Sequence, residues 1–309
     1  MLSRMLVPLD GSELAETVCV YAKELAGRLD MDIILLHVST PSRGDVVPME
    51  LAYIDHVAEK LRHQIKEVQK TATEGKSKTV KVTSELAVGY APDEILRFAE
   101  EHAIDLILLA SHGRSGVKRW TVGSVASKVM GATRIPVWLI KAGAEQETPY
   151  DNWPSETLVV TLDGSELAES VLPYAEALAK QHPSKPVELV LVRVAEPMNI
   201  PTYYSPDISG VSLNWGNIAQ QETIRRKQAA KEYLAKVEGK LKEKGISVKS
   251  VVVEGRANDE VVDYVNKIPN SMVIVASHGR SGLGRLFYGS VAANIIHGVT
   301  RPIFLIKAQ

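Results

Sequence analysis

The sequence is written twice, and that repetition limits the possible folds more than any other feature. MLVPLDGSELAETVCVYAKELA, beginning at Met5, returns as LVVTLDGSELAESVLPYAEALA from Leu158, 153 positions later. ASHGRSGVKRWTVGSVASKV, beginning at Ala110, returns as ASHGRSGLGRLFYGSVAANI from Ala276, 166 positions later. The endings match too, TRIPVWLIKA from Thr133 against TRPIFLIKA from Thr300. Two copies of one unit are expected, over residues 1–142 and 157–309, with a proline- and acid-bearing linker at 143–156 (GAEQETPYDNWPSE). The growth of the offset from 153 to 166 gives the second copy thirteen extra residues. They are expected in EPMNIPTYYSPDISGVSLNWGN, from Glu196, whose Pro, Ser, Asn and Gly content suits a long loop.

Within each copy, short apolar runs alternate with amphipathic stretches. The first copy has runs at Arg4–Leu9, Asp32–Val38, Val80–Leu86, Ile104–Ala110 and Pro136–Lys141. Helices are expected from Ser12 onward, over Pro48–Thr71, Ala91–His102 and Thr121–Ala132. The second copy repeats the strands near Thr157–Leu162, Val187–Val194, Ser247–Val253, Met272–Ala276 and Pro302–Ile306. Unbroken Val/Ile/Leu runs of strand length mark parallel strands covered on both faces. Right-handed crossovers then give two tandem doubly wound, Rossmann-like α/β domains with helices on both faces of each sheet.

Composition removes several functional classes. Lys and Arg total 36 against 37 Asp and Glu, a net charge of -1, which offers no electrostatic footprint for nucleic acid or an anionic membrane. Cys19 is the single cysteine, so neither a disulfide framework nor a cysteine zinc site can form, and a reducing cytoplasm is the expected location. No stretch approaches the roughly 20 apolar residues of a membrane span, and the first residues lead into a strand without a signal-peptide pattern.

In doubly wound sheets, ligands bind beyond the carboxyl ends of the strands where strand order reverses. Two of the most closely repeated segments lie at such ends. One is Asp10-Gly11-Ser12, repeated as Asp163-Gly164-Ser165. The other is Ser111 to Gly116, leading to Gly123-Ser124 at a helix start, repeated as Ser277 to Gly282 with Gly289-Ser290. Gly113, Gly116, Gly279 and Gly282 allow a ligand close to the main chain, and successive N–H groups can form an anion-binding concavity. A helix start adds unpaired N–H donors and the positive end of a dipole. Each charge-assisted hydrogen bond contributes about 1.5–3 kcal/mol, enough for backbone alone to hold a polyphosphate. Arg114 and Arg119, repeated as Arg280 and Arg285, are supporting cations, and Asp10 and Asp163 can accept from a ribose or carry a divalent ion beside phosphate. The bland reading of Asp-Gly-Ser is a helix cap, with Asp10 or Ser12 bonding first-turn N–H groups.

These residues resemble the ATP-binding subgroup of the universal stress proteins. The shared pattern is Gly-x-x-Gly, nine residues, then Gly-Ser/Thr, downstream of a Pro-x-Asp strand end. Here it runs Ala110-Ser-His-Gly113 to Gly123-Ser124, and Ala276-Ser-His-Gly279 to Gly289-Ser290. The resemblance covers nearly the whole chain and implies one ATP per domain, with Mg²⁺ as an accompanying ion. It places adenosine near Pro8, Asp10 and the main chain of Val38, and phosphates on the Gly113 loop and Gly123-Ser124-Val125. The second-copy counterparts are Asp163, Val194, Gly279, Gly289, Ser290 and Val291. It further implies five parallel strands per domain in the order 3-2-1-4-5, and pairing of Pro136–Lys141 with Pro302–Lys307 in an internal pseudo-dimer, with a homodimer of whole chains left open. Two departures stand out. Alanine replaces the first motif glycine in both copies, which fits a strand end with negative φ, and Thr161 replaces Pro8, which is expected to set the second copy's first loop differently.

Neither a Walker A nor a Rossmann Gly-x-Gly-x-x-Gly is present. His112 and His278 lie beside the phosphate loops and are expected to position ligand or face solvent rather than catalyse. The favoured function is therefore a nucleotide-dependent regulatory module of the stress response. A slow ATPase and a protein-interaction module without nucleotide are the alternatives. Cys19, matched by Leu172, is expected to pack as a small hydrophobe. His37 is matched by Arg193, which argues against a shared ligand role. His56 and His63, and the run Arg225-Arg226-Lys227, are expected on solvated helix faces. Tyr203, Tyr204 and Trp215 fall in the inserted loop, as candidates for a lid or an assembly contact.

Overall fold

A computed structural model describes residues 2–41, 46–72, 78–111, 122–141, 157–180, 187–198, 215–277 and 289–307. In the first copy the chain forms β1 (Arg4–Pro8), α1 (Glu13–Glu16), α2 (Val18–Leu29), β2 (Asp32–Ser39), α3 (Val47–Ala72), β3 (Val82–Val88), α4 (Ala91–Glu101), β4 (Leu106–Ala110), α5 (Ser124–Ala132) and β5 (Val137–Ile140). The second copy follows with β6 (Thr157–Thr161), α6 (Glu166–Glu169), α7 (Leu172–Ala179), β7 (Glu188–Ala195), α8 (Trp215–Glu243), β8 (Val248–Glu254), α9 (Ala257–Lys267), β9 (Ser271–Ser277), α10 (Ser290–Gly298) and β10 (Ile303–Lys307).

The ten strands of the described residues share one sheet, in the order β3-β2-β1-β4-β5-β10-β9-β6-β7-β8. Each half is a parallel 3-2-1-4-5 sheet, and the two join through β5 and β10, the one antiparallel pair, with Phe304 opposite Trp138. The seam strands β5 and β10 are buried throughout and β4 up to its last residue, because helices cover both faces. The outermost strands β3 and β8 are only partly covered, with Thr83, Glu85 and Val88 exposed on one and Lys249 and Glu254 on the other. Leu25, Ile54 and Leu61 pack α2 and α3 onto one face, and Ile95, Phe98 and Val129 pack α4 and α5 onto the other.

The seam between the halves is aromatic. Trp138 and Phe304 are fully buried and meet edge to face with ring centroids 5.7 Å apart. Tyr21 approaches Trp138 at 6.0 Å and Tyr174 approaches Phe304 at 5.8 Å, so the cluster obeys the pseudo-two-fold. Such pairs add about 0.5–1.5 kcal/mol each beyond the area they bury.

Three sequence expectations change. The thirteen extra residues are not confined to one loop. Register pairs Arg4 with Asp32 and Thr157 with Glu188, an offset of 156 for the second strand, whereas Val82 and Val248 stand 166 apart. Three of the extra residues therefore precede β7, and ten lie between β7 and β8. Trp215 opens helix α8 instead of lying in a loop, since Gly216 and Asn217 are tolerated in a first turn. Helix α5 begins at Ser124, not Thr121, with Gly123 as its N-cap. The linker 143–156 and Tyr203-Tyr204 lie outside the described residues.

Candidate functional site

Strand order reverses between β1 and β4 in the first half and between β6 and β9 in the second. At both reversals a cavity opens beyond the carboxyl ends of the strands, of about 310 Å³ in the first half and about 290 Å³ in the second. The first is walled by Pro8, Leu9, Leu36, Val38, Ile95 and Leu109, with Asp10 at one end and Gly123, Ser124 and Val125 at the other. In the second, Thr161, Leu162, Val192, Val194, Val261 and Val275 form the wall, and Asp163 faces Gly289, Ser290 and Val291. An apolar slot with a few convergent polar groups is the usual form of a small-molecule site.

The polar end is built by a local rule. Gly123 and Gly289 are the N-caps of α5 and α10, both with extended backbone. A glycine N-cap has no side chain of its own with which to cover the first-turn N–H groups, and Ser124, Val125 and their counterparts line the cavity. The Gly123 amide is fixed by donating to the Ser111 carbonyl at 2.6 Å, which ties the helix start to the end of β4. Ala110 and Ala276 lie in strands and are not among the residues with positive φ, so alanine serves there as well as glycine.

At the opposite end, Asp-Gly-Ser forms the same turn in both halves. Gly11 and Gly164 take φ of 83° and 94°, the left-handed region that glycine favours. Asp10 Oδ1 accepts from the Ser12 amide at 3.0 Å and the Ser12 hydroxyl at 2.6 Å; the Asp163 distances are 2.8 and 2.6 Å. Ser12 and Ser165 each cap the following helix, accepting from Ala15 and Ala168 at 3.1 Å. The capping role anticipated for this segment is thus present, and it aims the carboxylates at the cavity rim. Thr161 does not reset the loop, because turn geometry is decided by the glycine and the serine and not by the strand residue before them.

The halves differ where the sequence aligned His37 with Arg193. His37 is buried, its Nδ1–H donates to the Leu9 carbonyl at 2.8 Å, and its Nε2 lies 3.5 Å from Glu50. It holds the end of β1 and is not part of the cavity wall. Arg193 does line the second cavity, with its guanidinium 4.8 Å from the Tyr233 ring and close against Gly164. Burial tends to raise the Asp163 carboxyl, but the Ser165 hydroxyl and backbone N–H groups, with Arg193 nearby, outweigh it and hold the carboxyl below its usual value. A repeated pair supports both ends: the Tyr53 hydroxyl donates to Glu16 at 3.0 Å, and Tyr233 to Glu169 at 2.9 Å.

Of the residues singled out from sequence, the first cavity gathers Pro8, Asp10, Val38, Ala110, Gly123, Ser124 and Val125, and the second Asp163, Val194, Ala276, Gly289, Ser290 and Val291. His112, Gly113, Arg114, Gly116, His278, Gly279, Arg280 and Gly282 lie outside the described residues. The wall residues Leu36, Ile95 and Leu109 were not anticipated, because apolar periodicity does not separate a cavity wall from a core. Arg193 had a signal, its departure from His37, that sequence reasoning set aside. Elsewhere, burial pushes the half-buried Cys19 thiol up to about 12, away from reactivity. His56 and His63 are exposed, and Arg225, Arg226 and Lys227 pair with Glu222 and Glu254 on a solvated face. Among the described residues no three His, Cys, Asp or Glu side chains converge as a metal site, and no helix is long and apolar enough to cross a membrane.

Comparison with known proteins follows the same division into halves. The model of the universal stress protein family matches residues 1–141 and again 154–307. A universal stress protein of Methanocaldococcus jannaschii is 29% identical over 142 residues, 45% of this chain and 81% of the relative. One from Mycobacterium tuberculosis is 26% identical over 234 residues, 75% of this chain and 71% of its own. The crystal structure of a universal stress protein from Archaeoglobus fulgidus superposes with a TM-score of 0.66 at 20% identity, covering 98% of each chain, and shares the fold.

Proposed function

This chain belongs to the universal stress protein family, and from that premise we propose that it binds one adenine nucleotide, ATP foremost, in each half, as a regulatory module of the stress response. The units are taken as residues 1–142 and 157–309. The observation that carries this reading is the pair of equivalent cavities, each running from an Asp-Gly-Ser rim to a glycine-capped helix start. The apolar slot suits a base and the uncovered N–H groups suit phosphate oxygens. A backbone cradle needs no dedicated cation cage, and Mg²⁺ would be carried by the phosphates with at most Asp10 or Asp163 as protein ligand.

We favour binding over turnover from the described lining of the first cavity. Among the described residues of the first cavity, Asp10 is the one ionisable side chain, and Ser12 already engages its Oδ1 twice. Phosphoryl transfer requires a group that orients the nucleophile together with cationic clamps. On this reading the chain responds to nucleotide level, and its single cysteine suits a reducing cytoplasm. Pairing of whole chains would use a surface other than β5 and β10, which already pair with each other.

The test is to denature purified protein, separate the released small molecules, and count adenine nucleotide per chain. About two ATP per chain is expected, one for each helix start. Ser124→Glu and Ser290→Glu place a carboxylate where phosphate would sit while suiting the helix dipole. Each should empty its own cavity, lowering affinity by more than about tenfold, or 1.4 kcal/mol. Unchanged affinity in both variants would refute the reading, and ADP alone with many phosphates released per site would replace it with an ATPase.

A further inference from the structure

Two lysines cross the seam in opposite directions. Lys141 directly follows β5 and is 4% exposed; its Nζ donates to the carbonyl of Ile296, in the last turn of α10. Lys307 ends β10 and is 8% exposed; its Nζ donates to the carbonyl of Gly131, in the last turn of α5. The two are equivalent positions of the repeat, 166 residues apart in matching LIKA segments. Each therefore reaches out of its own half and grips the other half's helix. The helices gripped are the two whose first residues, Ser124 and Ser290, close the cavities.

We propose that Lys141 and Lys307 are crossed positioning residues, each setting the pose of the phosphate-end helix in the opposite half; this rests on the nucleotide reading above. The physical basis is local. The last four carbonyls of a helix have no partner within it, and a cation there complements the negative end of the dipole. Val129 and Ile295 carbonyls are taken by the amides of Thr133 and Val299, and the lysines serve carbonyls further along the same last turns, those of Gly131 and Ile296. Each helix has nine residues, about 13 Å of stiff rod. Fixing its far end to a strand of the other half fixes the direction in which its first N–H groups point. An anion held by backbone donors tolerates little misdirection, because hydrogen bonds weaken steeply with angle. An aliphatic residue would fill the seam without desolvating a charge, so packing alone gives no reason for lysine at both positions. The consequence is an unusual pattern: a substitution in one half should be felt at the cavity of the other.

The experiment isolates one cavity at a time. In the Ser290→Glu chain, where only the first cavity can load, ATP affinity with Mg²⁺ is measured by calorimetry after Lys307→Met or Lys141→Met. Lys307→Met should weaken binding about fivefold, the scale of one helix-terminal charge contact, and Lys141→Met should leave it within about twofold. In the Ser124→Glu chain the two lysines should exchange roles. Equal weakening by both lysines in both backgrounds would reduce them to general stabilisers of the seam and overturn the proposal, as would no effect from either. Lys→Leu at the same positions, which likewise removes the donor, replaces any methionine variant that does not fold. If the unsubstituted chain binds no ATP, the nucleotide reading fails by itself. The crossed pose is then read by amide hydrogen exchange, where Lys307→Met should speed the last turn of α5 and spare α10, with the reverse for Lys141→Met. Equal exchange in both helices would refute it.

Discussion

Lys141 carries its ammonium into a seam from which water is almost excluded, and burial lowers its pKa to about 8, against about 10.4 for a free lysine. The folded chain thus releases this proton at a lower pH than the unfolded chain does. Between pH 8 and 10.4 the unfolded chain holds the extra proton, so stability contributed through this residue rises as pH increases across that window. His297 faces the same lysine from α10; burial and the Lys141 charge lower its pKa, so it titrates well below the window. The stability difference between the natural chain and Lys141→Met should move in favour of lysine by about 1–3 kcal/mol from pH 7.5 to 10. Urea midpoints at those two values check this, and a gap independent of pH would show that the ammonium is not desolvated. Residue identity also separates the two cavities, since Arg193 adds a cation to the second wall that the described lining of the first lacks. No sequence rule distinguishes a histidine that braces a strand end from an arginine that turns into a cavity at the same register.

At the scale of elements, the helix starts follow from local chemistry that recurs in both copies. Ser12 and Ser165 cap α1 and α6 with the same 3.1 Å bond and the same short contact to an aspartate. Ser12→Ala and Ser165→Ala should each cost about 1 kcal/mol, and by nearly equal amounts, in equilibrium urea denaturation. A cost confined to one copy would show that the repeated turn is not equally structural. Strands were legible to within one or two residues because apolar runs of five to eight residues between amphipathic stretches have little alternative. The sequence pattern predicts the start of α5 three residues early because Thr121 and Val122 continue it, and only the Gly123 cap shows where helical bonding begins. The extra residues of the second copy were assigned to one loop because composition marks the largest insertion and hides a three-residue one before β7.

For the whole molecule, the joining of two sheets into one is the decisive feature. Strands β5 and β10 pair along their edges, and Trp138, Phe304, Tyr21 and Tyr174 fill the space over them. The linker is then not needed to keep the halves together. A chain cut at a protease site engineered within 143–156 should elute as one species in size-exclusion chromatography at micromolar concentration. Adding Trp138→Ala, a loss of about 3–5 kcal/mol for a large buried aromatic, should release the halves. Separation of the cut chain without that substitution would mean that the tether, and not the seam, supplies the association.

The sequence by itself determined what is local and periodic: two copies, alternating strands and helices, parallel strands covered on both faces, glycines where a turn needs positive φ, and uncapped helix starts at strand ends. The strand order and the pairing of the last strands came from resemblance to a family and not from any residue pattern. Tertiary structure alone decided which apolar residues wall a cavity, that Arg193 enters one of them, and that Lys141 and Lys307 trade places across the seam. The physical reason is distance along the chain. Periodicity and turn chemistry act over a few residues, whereas Lys141 meets Ile296 and Lys307 meets Gly131 only after every intervening strand has taken its place in the sheet.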